Sequence, residues 1–134
     1  MKEEDTKLQI PKKILIIEDE RSLSEALVDI LRIKHFLPIA AQNGKIGLKL
    51  ALKEHPQLIL LDLIMPEMDG IETFKMIRKD VWGAHVPIII LTNLNATNEQ
   101  FVADVATQKS TYYLIKSDWK LHDIVKKIDD ILKK

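Results

Sequence analysis

Residues 56–70, "PQLILLDLIMPEMDG", set Asp62 at the end of an aliphatic run and follow it with Pro66 and Gly70. An apolar run without alternation is the pattern of a strand covered on both faces. An unpaired carboxylate in that company loses its hydration and gains nothing. Asp62 therefore either shapes the turn, as a capping or turn-forming aspartate, or does chemistry.

The same grammar recurs on both sides of this stretch. "KKILIIEDE" (12–20), "LPIAAQ" (37–42), "VPIIILTN" (86–93) and "TYYLIK" (111–116) read as strands. Pro38 lacks a ladder N–H and belongs on an edge strand. Between them lie helical patterns. "ERSLSEALVDILRIKHF" turns Leu23, Leu27, Ile30 and Leu31 inward, and "NGKIGLKLALKEH" is expected to bury Ile46, Leu50 and Leu48 behind an Asn43 N-cap. "IETFKMIRKD" spaces Ile71, Phe74 and Ile77, and "ATNEQFVADVATQ" is a weaker helix. The closing "SDWKLHDIVKKIDDILKK" aligns Leu121, Ile124, Val125, Ile128, Ile131 and Leu132, with Ser117 or Asp118 as the expected cap.

Strand and helix alternating in this way predict an α/β fold. The expected form is a flavodoxin-like, doubly wound five-stranded parallel sheet of order 2-1-3-4-5, with helices on both faces. Residues 1–11 read as a polar lead-in and 12–134 as one domain. The chain has 134 residues, enough for a single core. Lys+Arg and Asp+Glu both number 20, so no global field favours nucleic acid or an anionic membrane. There is no cysteine, which removes disulfides and thiol chemistry. With no signal-peptide core and no span-length apolar run, a soluble cytoplasmic protein is expected.

In such a sheet ligands bind beyond the carboxyl ends of the strands, where the strand order reverses. The first strand ends in Glu18 and Asp19, and the third in Asp62. Three carboxylates meeting there need protons or a cation, and oxygen-only donors favour Mg²⁺. The fourth strand ends in the hydroxyl of Thr92 and the fifth leads into the ammonium of Lys116. A metal, a hydroxyl and a cation around a carboxylate suit a phosphoryl group, and Asp62 is the candidate nucleophile.

The motifs "ILIIEDE", "LILLDLIMPEMDG", "PIIILTN" and "YYLIK", in this order over roughly residues 12–132, resemble the receiver domain of bacterial two-component response regulators. The resemblance implies phosphorylation of Asp62 by a histidine kinase or histidine phosphotransfer protein. It implies that Asp19 and Asp62 give side-chain oxygens to Mg²⁺ and Ile64 its backbone carbonyl, with Glu18 acting through water. Thr92 would hydrogen-bond the phosphoryl group, Lys116 would pair with it, and Tyr113 would be the switch aromatic. Asn93 stands where the family has a very small residue, and Ser117 where it has proline. Ile64 and Leu94, both apolar, cannot orient a hydrolytic water, so a long-lived phosphoaspartate is expected.

The chain is thus expected to be a switch rather than a multiple-turnover enzyme, working as a monomer or phosphorylation-dependent homodimer. Its output is expected through a protein partner at the 97–134 surface, without nucleic-acid binding or membrane insertion. Two other readings stay open. One is an aspartyl-nucleophile phosphatase of haloacid-dehalogenase type, although Ile64 occupies the place of its second acid. The other is a receiver-like module that is never phosphorylated. The scattered His35, His55, His85 and His122 are read as surface or element-end residues.

Overall fold

The structure is a computed structural model that describes residues 10–63, 69–92, 101, 103 and 108–133. Ile64, Met65, Met68, Asn93, Leu94 and most of the "ATNEQFVADVATQ" stretch lie outside these. β1 (Lys13–Ile17), β2 (Leu37–Ala41), β3 (Leu58–Asp62), β4 (Ile88–Thr92) and β5 (Thr111–Ile115) form one parallel sheet of order β2-β1-β3-β4-β5. Among the described residues the helices with defined ends are α1 (Arg21–Ile33), α2 (Gly44–Glu54), α3 (Gly70–Lys79) and α4 (Leu121–Leu132); Phe101 and Ala103 are also helical, and a 3-10 turn covers Lys116–Asp118. The expected strand order is the observed one, with Pro38 on the β2 edge.

The unbroken aliphatic runs are explained by the two-sided core. Alternate residues of each strand serve opposite layers. Leu15, Ile17, Ile59, Leu61, Ile88 and Ile90 pack toward Phe74 and Ile77 of α3. Ile14, Ile16, Leu58, Leu60, Ile89 and Leu91 pack toward Leu27 and Leu31 of α1 and Ile124, Val125 and Ile128 of α4.

Two local expectations need correction. Ile46 is exposed rather than inward. α2 instead buries Gly44, Gly47 and Ala51, with Leu48 and Leu50 only partly covered. A side chain at Gly47 would run into Ile17, so small residues let the α2 backbone rest on the sheet. The second correction concerns α4. Ser117 and Asp118 belong to the 3-10 turn, and the N-cap is Lys120, whose N–H donates to Asp123 Oδ2 at 3.1 Å. Trp119 is held extended while it packs against the α1/α4 core, which delays the helix. The peptide bond before Ser117 is trans.

Asn43 caps α2 as expected, its Oδ1 accepting the Ile46 N–H at 2.8 Å. Asn43→Ala is expected to cost about 1 kcal/mol in urea unfolding, and Asn43→Ser to recover most of it.

Candidate functional site

The sheet register builds the site. β1 and β3 pair Ile17 with Leu61, so the next residues, Glu18 and Asp62, emerge side by side. β3 and β4 pair Asp62 with Leu91, which puts Thr92 at the same rim. β4 and β5 pair Thr92 with Ile115, and Lys116 follows immediately. Glu18, Asp62 and Thr92 are all buried, whereas Asp19 is exposed. A parallel ladder thus aligns side chains that are far apart in the chain.

One oxygen each from Glu18, Asp19 and Asp62 lies within 4.8 Å of the others. Lys116 Nζ sits 3.1 Å from Glu18 Oε1 and 3.5 Å from Asp62 Oδ2, and it donates to Glu18 Oε2 at 3.2 Å. Glu18 Oε2 also accepts the Glu20 N–H at 3.1 Å. Glu18 Oε1 is buried and accepts no hydrogen bond, and Lys116 meets it as an ion pair. Burial by itself lowers the Lys116 pKa. The charges of Asp62 and Glu18, with hydrogen bonds to both, outweigh it and hold the ammonium above its ordinary 10.5.

One ammonium against three carboxylates leaves the rim acidic. A hard divalent cation that takes oxygen donors fits this set, and Glu18 Oε1 is a buried oxygen with spare acceptor capacity. An open cleft of about 380 Å³ runs from Glu18 and Asp19 past Arg21, Gln42 and Ile46, so these two carboxylates of the cluster border a solvent-open space.

Gly70 shapes the far wall. Its φ is not positive, so conformational freedom is not why glycine stands there. Its N–H donates to Leu63 O at 2.8 Å, and a Cβ would collide with the Asp62 carbonyl oxygen and the Leu63 backbone. Asp69 caps α3 through the Glu72 N–H at 2.9 Å. Gly70→Ala is expected to destabilise by about 3 kcal/mol in chemical denaturation, because backbone cannot yield as a side chain can.

Tyr112 and Tyr113 face opposite layers, as the strand period requires. Tyr113 packs partly buried against the core that holds Phe74 and Phe101, whose rings meet edge-on with centroids 5.5 Å apart. Burial raises its phenol above the ordinary 10.0. Because the folded state favours the neutral phenol, this group's contribution to stability is intact below pH 10 and fades as the pH rises through the shifted value. Phenolate absorbance should show a component above pH 10 that Tyr113→Phe removes.

The residue pattern gave no hint of the Lys116–Glu18 pairing, because a spacing motif does not say which carboxylate a lysine will choose. Nor did it single out Arg78, which reads as one more charge on an amphipathic helix. Its guanidinium is in fact turned inward, onto the strand ends opposite the acidic rim. Among the described residues no histidine joins a candidate metal cluster; His55 and Trp82 stack at 4.6 Å, and His35 and His55 follow helices with positive φ.

The fold and this rim together define a doubly wound α/β domain with an acidic, lysine-paired crevice at its strand ends. The chain belongs to the response regulator receiver domain family, whose pattern it matches over residues 14–129. Members are signalling domains of two-component systems rather than classical enzymes. Over 88 residues the chain is 39% identical to histidine kinase P4 of Formosa agariphila, which covers 66% of this chain but 6% of the kinase. It is 32% identical over 83 residues to the polar-differentiation response regulator DivK of Brucella anthropi, covering 62% of this chain and 68% of that one. The fold superposes on chemotaxis protein CheY4 of Vibrio cholerae with a TM-score of 0.78 at 22% identity, over 90% of this chain and 98% of CheY4. The chain spans about a third of the length of several transcriptional regulators it also matches. Among the described residues no helix is long and apolar enough to cross a membrane.

Proposed function

We propose that this chain is a phosphorylation-dependent switch whose acceptor is Asp62. The observation that carries the reading is the Lys116 ammonium, 3.5 Å from Asp62 Oδ2 within a cluster of three carboxylates at the strand ends. The donor is a phosphohistidine on a histidine kinase or phosphotransfer protein. An Asp62 oxygen attacks phosphorus, and the bond from phosphorus to the imidazole nitrogen breaks. The electron pair stays on that nitrogen, and Asp62 becomes an acyl phosphate. Lys116 neutralises charge on the phosphoryl oxygens, and the Thr92 hydroxyl donates to one of them.

Asp19 and Asp62 would hold Mg²⁺ with the Ile64 carbonyl, and Glu18 would act through a water. Bound there, Mg²⁺ supplies charge neutralisation at the transferring group. Tyr113 is the proposed switch aromatic, sharing its core with Phe74 and Phe101. A shift of Tyr113 would change the 97–134 surface offered to a protein partner. The chain is proposed to work in the cytoplasm, without binding nucleic acid.

Incubation with acetyl phosphate and Mg²⁺, followed by intact mass measurement, tests this. One acid-stable, base-labile phosphoryl adduct per chain is expected. No adduct would favour a module that is never phosphorylated, and turnover of general phosphate esters would favour the phosphatase reading.

A further inference from the structure

We propose that the outer face of α2 and α3 docks an acidic helical segment of a partner protein. The two helices pack side by side, so their exposed residues form one surface. Lys45, Lys49 and Lys53 run down α2, and Lys75 and Lys79 down α3. Glu72, in the first turn of α3, is the exposed acidic residue these helices set against them. Glu54 is half-buried and already paired with Lys13 at 3.0 Å. Among the described residues none of these five lysines forms an ion pair.

This clustering stands out in a chain whose charges cancel overall. Lys45–Lys49, Lys49–Lys53 and Lys75–Lys79 are like-charged pairs four residues apart. Each such pair destabilises its helix by about 0.2–0.5 kcal/mol. The opposite helix layer is built differently. There Arg21 pairs with Glu25 and Lys133 with Asp129, each four residues apart. Repulsion left unrelieved within the chain is relieved by negative charge from outside.

Shape and chemistry select the occupant. The lysines of α2 recur about every 6 Å along the axis, the spacing of Glu or Asp at every fourth position of a facing helix. Beside them lie Leu52 of α2 and Met76 of α3, each 40% exposed, and Val81 stands 90% exposed just past α3. Half-seated aliphatics flanked by cations suit an amphipathic helix with apolar residues between its acids. A nucleic-acid backbone would leave them without a use. A second copy of this face is repelled by like charge.

The test uses ¹⁵N-labelled full chain and a synthetic helix of about 18 residues, roughly 27 Å long. The peptide carries Glu at every fourth position with Leu between. Expected are amide shifts confined to residues 44–54 and 70–81, with binding at least fivefold tighter than to a peptide of equal composition whose acids are scattered. Lys49→Glu with Lys75→Glu should weaken binding at least tenfold. If circular dichroism shows that pair misfolded, Lys45→Gln with Lys53→Gln takes its place and should weaken binding at least threefold. Equal binding of the scattered peptide, or shifts elsewhere, would overturn the proposal. So would lysine-dependent capture on phosphatidylserine vesicles or duplex DNA without preference for the patterned helix.

Discussion

Asp62→Asn is expected to abolish the phosphoryl adduct formed with acetyl phosphate and Mg²⁺, while the protein stays folded. The amide keeps the volume of the carboxylate, so packing beside Leu61 and Leu63 is little disturbed. What disappears is the anionic nucleophile, and an amide does not replace it. Lys116→Met should act by degree rather than abolish transfer. It removes the one ammonium near Asp62 among the described residues and leaves the nucleophile in place. Loss of such an electrostatic contact costs about 10²–10³ in rate. Initial rates of adduct formation by intact mass measure both effects. An Asp62→Asn protein that still acquires one base-labile phosphoryl group would move the acceptor elsewhere.

Arg78→Met should lower stability by about 3–5 kcal/mol, since it removes four charge-assisted hydrogen bonds from a partly buried network. The guanidinium donates to Gly83 O at 2.9 Å and Val86 O at 2.7 Å through Nη1. Through Nη2 it donates to Ser110 O at 3.0 Å and Thr111 Oγ1 at 2.8 Å. It also lies 5.3 Å from the centre of the Phe74 ring. One side chain thus ties α3 to the segment before β4 and to the start of β5, where Ser110 takes a positive φ of 63°. Burial pushes its pKa down to about 10, which leaves it charged at neutral pH. Nε is buried without a partner, an existing cost that the other contacts outweigh. At about 3.5 °C per kcal/mol for a chain this size, the melting temperature should fall by about 10–17 °C. Arg78→Lys should recover less than half, because one ammonium cannot span the fork. A drop under 3 °C for Arg78→Met would show that the network contributes little.

The strand order was legible because continuous aliphatic runs admit few arrangements, and Pro38 allowed only an edge. The gathering of the candidate residues at one rim was legible for the same reason. Once the strands are parallel and ordered, Glu18, Asp19, Asp62, Thr92 and Lys116 have to gather at one rim. Packing detail was not. Ile46 looked like core because large aliphatics were counted, whereas α2 approaches the sheet through Gly47 and Ala51. The start of α4 was misplaced because capping preferences favour Ser117 and Asp118, while the seating of Trp119 decides the matter. The Arg78 network joins residues up to 33 apart in sequence and leaves no periodic trace.

The most direct test of the central claim is an NMR titration of the full chain with Mg²⁺ and then beryllium trifluoride, a mimic of the phosphoryl group. Mg²⁺ alone should shift resonances of Glu18, Asp19 and Asp62. The mimic should then perturb Thr92, Lys116 and Tyr113, and only while Mg²⁺ is present. If Mg²⁺ leaves the three carboxylates unmoved, or the mimic binds equally well without it, these side chains do not form a single metal and phosphoryl site.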